Sequence, residues 1–360
     1  MRWAAIPFLL IRGGTSRAPY FLRRDLPKDR ATLSEALLDV IGAGTPGNID
    51  GLGGGSAVTC KVAILSPSEE PDTDVDYLFA QVVSSERRVD FAPTCGNILA
   101  GVGPAAIELG LVERRAGSTP VRIRAVNTGA RIEAEVPTLD EGVEYAPPGA
   151  VVPGAAGVPV IRLSFSDVVG SKTGRLLPTG HPIDEIDGVE VSCVDAAMPM
   201  VVARAADLGI TGCESKAELD AQRPFFARLE AIRLEAGRRM GLGDVAHSVI
   251  PKFAVLAPPH ADGTVTSRYF MPWDCHPSYA VTGGICLTAC LLAPGTVART
   301  ILPQPAGPKT TIRIEHPSGT LDVVAEFAIH DGALDLRRAG VLRTARKLAA
   351  GEVFVPARLG

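Results

Sequence analysis

Aromatic residues make up only 5% of this 360-residue chain, too few for a base-stacking platform. Neither sign of charge dominates: 36 Lys and Arg stand against 40 Asp and Glu. There is no basic excess to grip a nucleic acid or an anionic membrane, so neither is expected as a partner. Long hydrophobic runs are missing as well. The longest stretch without Asp, Glu, Lys or Arg, residues 275–298, contains His276, Pro277, Gly283, Gly284, Pro294 and Gly295. Its apolar centre is far shorter than the ~20 residues of a membrane helix and reads as a core helix. The apolar N-terminus contains Pro7 and no small-residue cleavage site. It reads as a first buried strand, not a secretory signal.

Paired cysteines are lacking too. The seven, Cys60, Cys95, Cys193, Cys213, Cys275, Cys286 and Cys290, are odd in number and scattered, which excludes a disulfide scaffold and favours a reducing, cytoplasmic setting. The six histidines form no H-x-x-x-H and none pairs with Cys at finger spacing, so no metal is expected. There is no G-x-S-x-G elbow, no phosphate loop, and no G-x-G-x-x-G between a strand and a helix.

What is present is 46% hydrophobic residues, ample for a packed core, in a length that suggests two domains. Glycine (38) and proline (29) make up nearly a fifth of the chain, favouring short elements and many turns. Strands are expected at 58–65, 77–84, 121–126, 130–136, 160–165 and 189–194, with a hairpin over 312–315 and 321–327. Helices are expected at 32–41 and 222–240. The class is strand-rich mixed α/β or α+β.

Two further helices, 96–109 and 282–293, are apolar almost all round and should be buried on every side. They open with similar tetrads, Cys95-Gly96-Asn97-Ile98 and Thr282-Gly283-Gly284-Ile285. This echo is either a duplicated unit or a coincidence between two Gly-rich helix starts. The Pro/Gly-rich stretch 147–159 is the natural linker between 1–150 and 151–344.

Few residues suit chemistry. Cys95 precedes a helix N-terminus, where free N–H groups and the helix dipole favour a thiolate that can act as nucleophile or base. The alternative is a small buried hydrophobe. Lys61 interrupts the apolar run Val58 to Leu65. It either points outward from an edge strand or faces a site, where desolvation makes an amine a usable base. The loop Gly51-Leu52-Gly53-Gly54-Gly55-Ser56 could cradle a carboxylate. Arg12-Gly13-Gly14-Thr15-Ser16-Arg17 is a second Gly-rich turn with hydroxyls and cations.

These motifs together resemble the methylaconitate isomerase / 4-oxalomesaconate tautomerase family (PrpF-like). They are Gly13-Gly14-Thr15-Ser16, the Gly-rich loop running into Thr59-Cys60-Lys61-Val62-Ala63, Cys95-Gly96-Asn97, Leu177-Pro178-Thr179-Gly180, Ala280-Val281-Thr282-Gly283 and Pro294-Gly295-Thr296-Val297. Residues 49–54 and 74–82 are most similar to the 4-oxalomesaconate branch.

The resemblance implies a diaminopimelate-epimerase-like fold of two pseudo-symmetric domains, each wrapping strands around a central helix. It returns about 345–360 to the first domain, 1–150, and leaves 151–344 as the second. Relatives of this fold that racemise carry one Cys on each central helix; here the second place is Thr282. The family instead pairs a Cys with a Lys, which map to Cys95 and Lys61. The activity implied is a proton shift, by tautomerisation or 1,3-allylic isomerisation, on 4-oxalomesaconate in bacterial breakdown of protocatechuate- and gallate-type aromatic acids, lignin-derived ones included. No cofactor is implied. The expected partner is a small tricarboxylic acid, bound by Thr15, Ser16, Arg17, Gly54, Gly55, Ser56, Gly96, Asn97, His276, Thr282, Gly283 and Gly284. Alternatives are a methylaconitate isomerase of propionate catabolism, a non-catalytic aconitase accessory protein, and a hydrolase with Cys95 as covalent nucleophile. The sequence does not set the oligomeric state; a homodimer is compatible with it.

Overall fold

The computed structural model describes residues 3–91, 94–150, 157–271, 273–302 and 307–357. Contacts divide the chain into two compact units, Met1–Phe165 with Leu342–Gly360, and Ser166–Val341. The division at 150 and 344 read from the sequence therefore shifts. The strand Ile161–Ser166 pairs with Ala130–Leu139, and Arg162 reaches Glu135 at 3.0 Å, which ties it to the first unit. Part of the expected linker, 151–156, lies outside the described residues.

The first unit contains β1 (Trp3–Gly13), β2 (Ser16–Leu22), β3 (Lys61–Pro67), β4 (Val75–Val83), β5 (Arg88–Asp90), β6 (Gly117–Ala125), β7 (Ala130–Leu139), β8 (Gly142–Val143), β9 (Ile161–Ser166) and, at the C-terminal end of the sequence, β18 (Ala345–Pro356). Its main sheet runs β18-β1-β2-β3-β4-β6-β7-β9. Helix α1 (Arg30–Ile41) starts where Asp29 accepts N–H bonds from Ala31 and Thr32, and stops at Gly42, whose φ of 76° is left-handed. Leu33, Leu37, Val40 and Ile41 pack with Val62, Ile64, Ala80 and Val82 on one sheet face. Burying each such side chain contributes about 1.5–3 kcal/mol.

The other face is covered by α2 (Gly96–Leu99) and α3 (Val102–Glu108). The single helix expected over 96–109 is thus two, broken at Ala100-Gly101. Pro104 explains the break: it has no N–H to give the Ala100 carbonyl, and its ring would press on that carbonyl. At Gly101 a Cβ would stand 2.2 Å from the Tyr20 hydroxyl, so only glycine allows the approach.

The second unit contains β10 (Asp184–Ile186), β11 (Val189–Asp195), β12 (Pro199–Arg204), β13 (Lys252–Ala257), β14 (Val265–Phe270), β15 (Lys309–His316), β16 (Gly319–His330) and β17 (Ala333–Arg343), in that order across its sheet. Short α4 (Lys216–Asp220) leads into α5 (Arg223–Arg239), whose Leu229, Ile232 and Ala236 join Cys193, Val201, Phe253 and Val255 in one core. The other helix, α6 (Val281–Leu292), is buried from Gly283 to Leu292, as its all-round apolar pattern requires.

The two units repeat one plan: a hairpin, an outer helix, a strand parallel to the hairpin's second strand, an antiparallel neighbour, and an inner helix. This is the diaminopimelate-epimerase-like arrangement. Among the described residues no helix is long and apolar enough to cross a membrane.

Candidate active site

Strand alternation decides where Lys61 points. Val62 and Ile64 pack against α1, so Lys61, Ala63 and Leu65 face α2 and α3. Lys61 is therefore not an outward edge residue. Its Nζ lies 3.4 Å from the Cys95 Sγ and 5.5 Å from the centre of the Phe79 ring, within cation–π range. Gln81, opposite Lys61 in β4, donates to the carbonyls of Ala57 and Cys60 at 3.2 and 2.8 Å.

Cys95 is the N-cap of α2. Its carbonyl accepts the first helical bond, from Leu99 N–H at 2.8 Å. The N–H groups of Gly96, Asn97 and Ile98 precede that bond and have no partner inside the helix. The turn is pinned from both ends. Asn97 Nδ2 donates to Thr15 Oγ1 at 2.9 Å, and a Cβ on Gly13 would come within 2.0 Å of the Asn97 carbonyl. At the far end the buried Tyr20 hydroxyl donates to the Ile98 carbonyl at 2.5 Å.

Tyr20 and Tyr77 are site residues that sequence reasoning missed. Both are fully buried. Burial, with neighbouring Cys95 as a smaller cause, pushes both phenols well above their ordinary range, so both keep their protons as donors. The Tyr77 hydroxyl has no hydrogen-bond partner among the described residues. A tyrosine in an apolar strand looks like core; only the helix packed over it reveals the polar use.

The Gly-rich loop differs from expectation. Gly51 donates to Asn48, Leu52 to Val40 and Gly53 to Ile41 through backbone bonds. Gly55 N–H goes to Asn48 Oδ1 at 2.9 Å, and Ser56 is bonded to Thr59. Only the Gly54 N–H carries no partner among the described residues. The glycines are there for close approach: a Cβ on Gly51 would meet Gly42 N at 2.2 Å and one on Gly53 the Ile41 carbonyl at 2.5 Å. Gly55 and Ser56 are thus loop-forming, not an open cradle.

Ser16 is buried in β2, while Thr15 at the hairpin tip is exposed and holds Asn97. Arg17 leaves β2 on the side of Phe21, the α1 face, and its guanidinium lies against Gly54, 3.0 Å from where a Cβ there would sit. Among the described residues no hydrogen bond joins it to Lys61 or Cys95. Arg17 stands opposite Arg12, which stands opposite Arg346. Among the described residues Arg12 Nη2 and Arg17 Nε are both buried without a partner.

In the second unit α6 begins at Val281, so Thr282 is inside the first turn. Gly284 N–H is already spent on the Ala280 carbonyl at 2.8 Å, which removes Gly284 as a carboxylate donor; the N–H groups of Val281, Thr282 and Gly283 carry no partner among the described residues. Gly283 fits against the Tyr269 ring and Gly284 against Leu321, each too tightly for a Cβ. Thr282 Oγ1 lies 3.6 Å from Met198 Sδ. His276 Nδ1 accepts from Ser278 N–H at 3.0 Å, and its ring meets Tyr269 edge-on at 5.8 Å. Burial pushes His276 below its usual range, so it is neutral near pH 7. Among the described residues no group of three or more His, Cys, Asp or Glu side chains could hold a metal ion.

A family model described as PrpF protein matches residues 3–356. A 4-oxalomesaconate tautomerase of Pseudomonas putida is 46% identical over 97% of this chain and 96% of its own. A (4E)-oxalomesaconate Delta-isomerase of Novosphingobium sp. strain KA1 is 45% identical over 97% of each. The crystal structure of a methylitaconate-delta-isomerase superposes with a TM-score of 0.85 at 32% identity, covering 99% of this chain and 96% of that one. Proline racemase and hydroxyproline epimerase structures share the fold at 15% and 13% identity, with TM-scores of 0.53 and 0.55.

Proposed function

Because the chain belongs to the PrpF family, we propose that it is an isomerase that moves a proton within 4-oxalomesaconate. The observation that carries this reading is the 3.4 Å contact between Lys61 Nζ and Cys95 Sγ. An amine and a thiol at that distance can hold one proton between them and offer a base and an acid to the same substrate.

The chemistry follows from the substrate class. In 4-oxalomesaconate an alkene is conjugated with a carbonyl, which acidifies a C–H at the far end. Lys61 takes that proton; the C–H electrons enter the π system and reside on the carbonyl oxygen as a dienolate. Cys95 returns a proton at the other end of the system. One C–H bond breaks, one C–H or O–H bond forms, and nothing is oxidised or reduced. On this reading the N–H groups of Gly96 and Asn97, which have no partner inside the helix, hold a carboxylate or the developing oxyanion.

Oxalomesaconate is preferred to a methylated aconitate because relatives named for it stand at 46% and 45% identity, against 32% for a 2-methyl-aconitate isomerase of Shewanella oneidensis. Seven free thiols support a cytoplasmic placement.

Incubation with 4-oxalomesaconate and 2-methylaconitate in separate tubes, followed by proton NMR, tests the assignment. Conversion of the first and little of the second is expected. Conversion of 2-methylaconitate alone transfers the protein to the methylated substrate. Failure of both removes the reading.

A further inference from the structure

The first unit contains two cysteines, Cys60 and Cys95, and β3 separates them. Cys60 directly precedes the strand and is buried in the α1 core, where its thiol donates to Asn48 Oδ1 at 3.2 Å. Lys61 comes next, and alternation turns it to the opposite face. There its Nζ donates to Cys95 Sγ at 3.4 Å. The neighbour of the Cys95 sulfur is therefore an amine, while the unit's other thiol is closed off behind the strand.

Cys95 also stands apart from the remaining thiols. Cys60, Cys193, Cys275, Cys286 and Cys290 are buried, Cys213 is exposed and Cys95 is half-buried. Burial pushes the Cys193, Cys275, Cys286 and Cys290 thiols up, which keeps them protonated and inert to oxidants. Among the described residues Cys95 is the only cysteine whose sulfur lies within hydrogen-bonding distance of a lysine amine. That amine is held in place, because Lys61 is the first residue of β3 and its Nζ stands 5.5 Å from the centre of the Phe79 ring.

An accessible thiol that is oxidised to a sulfenic acid condenses with the nearest nucleophile, or is oxidised further and irreversibly to a sulfinic acid. We infer that Lys61 is the resolving group for an oxidised Cys95: hydrogen peroxide converts the thiol to a sulfenic acid, and the Lys61 amine condenses with it to a sulfenamide. In the first step the sulfur takes one oxygen from the peroxide and is oxidised, and the peroxide is reduced to water. In the second the Lys61 nitrogen forms an N–S bond and the S–O bond breaks. The hydroxyl leaves with an amine proton as water, and nothing further is oxidised. A small thiol reverses the link by attack on the sulfur. This releases the Lys61 amine and leaves a mixed disulfide, which a second thiol opens to free Cys95. The lysine thus spares the cysteine from irreversible oxidation. While the two are joined, neither can pass a proton to a substrate; that consequence rests on the isomerase reading, and the bond itself does not.

The test treats wild type, Lys61→Met and Cys95→Ser with hydrogen peroxide and reads intact masses and tryptic peptides. A parallel set contains dimedone to trap sulfenic acid. Wild type should become two hydrogens lighter, with the Lys61 and Cys95 peptides joined, and dithiothreitol should restore the starting mass. Lys61→Met should take dimedone at Cys95 and, without dimedone, gain two oxygens there as sulfinic acid. Cys95→Ser should show neither product. Turnover of 4-oxalomesaconate by wild type should fall in proportion to the linked fraction and return with dithiothreitol. The wild-type peptides carry the test if a variant does not fold. A wild type whose Cys95 stays a free thiol, or accumulates dimedone adduct or sulfinic acid as Lys61→Met does, overturns the inference. So does a link from Cys95 to another thiol or to the Gly96 nitrogen. None of these results touches the isomerase reading. A reversible Lys61–Cys95 link in a protein that does not turn over oxalomesaconate keeps the inference and removes the reaction assignment.

Discussion

Lys61 Nζ and Cys95 Sγ lie 3.4 Å apart across 34 residues of sequence. One is fixed by the first residue of a central strand, the other by the cap of a four-residue helix turn. Lys61→Met and Cys95→Ser should each lower kcat by about 10²–10⁴-fold, the usual worth of a placed acid or base. Melting temperatures should stay close to wild type, because neither side chain is fully buried. Steady-state kinetics with circular dichroism melts checks both statements.

Tyr20 is a positioning residue for Cys95, since its hydroxyl holds the Ile98 carbonyl at the end of the turn that Cys95 begins. Tyr20→Phe leaves that carbonyl with the Gly101 N–H alone, at 2.9 Å, and should cost about 0.5–1.5 kcal/mol of stability, the usual worth of one hydrogen bond. Its signature beyond stability is a drop in kcat with KM nearly unchanged, measured well below the melting temperature. Equal loss in Lys61→Met and Lys61→Met/Tyr20→Phe would show that the tyrosine acts through the pair.

Asn48 organises the Gly-rich loop from a left-handed φ of 56°. Its amide donates to the Gly42 carbonyl and Ser84 Oγ, and its Oδ1 accepts from Gly55 N–H and Cys60 Sγ. Asn48→Ala leaves several of these buried groups unpaired, at about 1–3 kcal/mol each where no water replaces the amide. Urea denaturation should show a lowered midpoint. Asn48→Asp should also lower it: the acceptor and the backbone conformation are kept, but both amide donors are lost and a carboxylate is buried opposite the Gly42 carbonyl.

Glu315 sets an acid limit on the second unit. Only 8% exposed, it accepts N–H bonds from His260, Ala261 and Gly263 and the Thr266 hydroxyl. Burial alone would raise its carboxyl, but these bonds outweigh it and hold the group near 2, against 4.5 ordinarily. A depressed folded-state value means the contribution is whole above about pH 4.5 and is lost as pH falls from there towards 2. Glu315→Gln should therefore melt below wild type at pH 7, and the gap should close as the buffers approach pH 2. A gap independent of pH would show that the carboxylate's charge is not what stabilises the turn.

Much of this was legible in the residues. Lys61 breaks an apolar strand pattern, and Cys95-Gly96-Asn97 marks a helix start; the fold then joins them. The 187-residue echo between Cys95 and Thr282 signalled the repeat, and the runs Lys61-Val62-Ala63-Ile64-Leu65 and Lys252-Phe253-Ala254-Val255-Leu256, 191 residues apart, carry it more strongly. Strands β12, β13 and β14 escaped notice because Pro199–Arg204, Lys252–Ala257 and Val265–Phe270 are covered on both faces. Such runs lack the alternation that identifies half-buried strands. Tertiary packing also decided what composition could not. Gly51 and Gly53 serve the close approach to the end of α1, Gly284 spends its N–H on the Ala280 carbonyl, and Arg17 lies on the α1 face of its sheet.

The most direct measurement is proton NMR of 4-oxalomesaconate in D₂O with wild type, Lys61→Met and Cys95→Ser. A proton shift by the Lys61–Cys95 pair predicts conversion with deuterium entering one carbon in wild type, and loss of both conversion and exchange by about 10² or more in each variant. Conversion and exchange at the wild-type rate in either variant would contradict it.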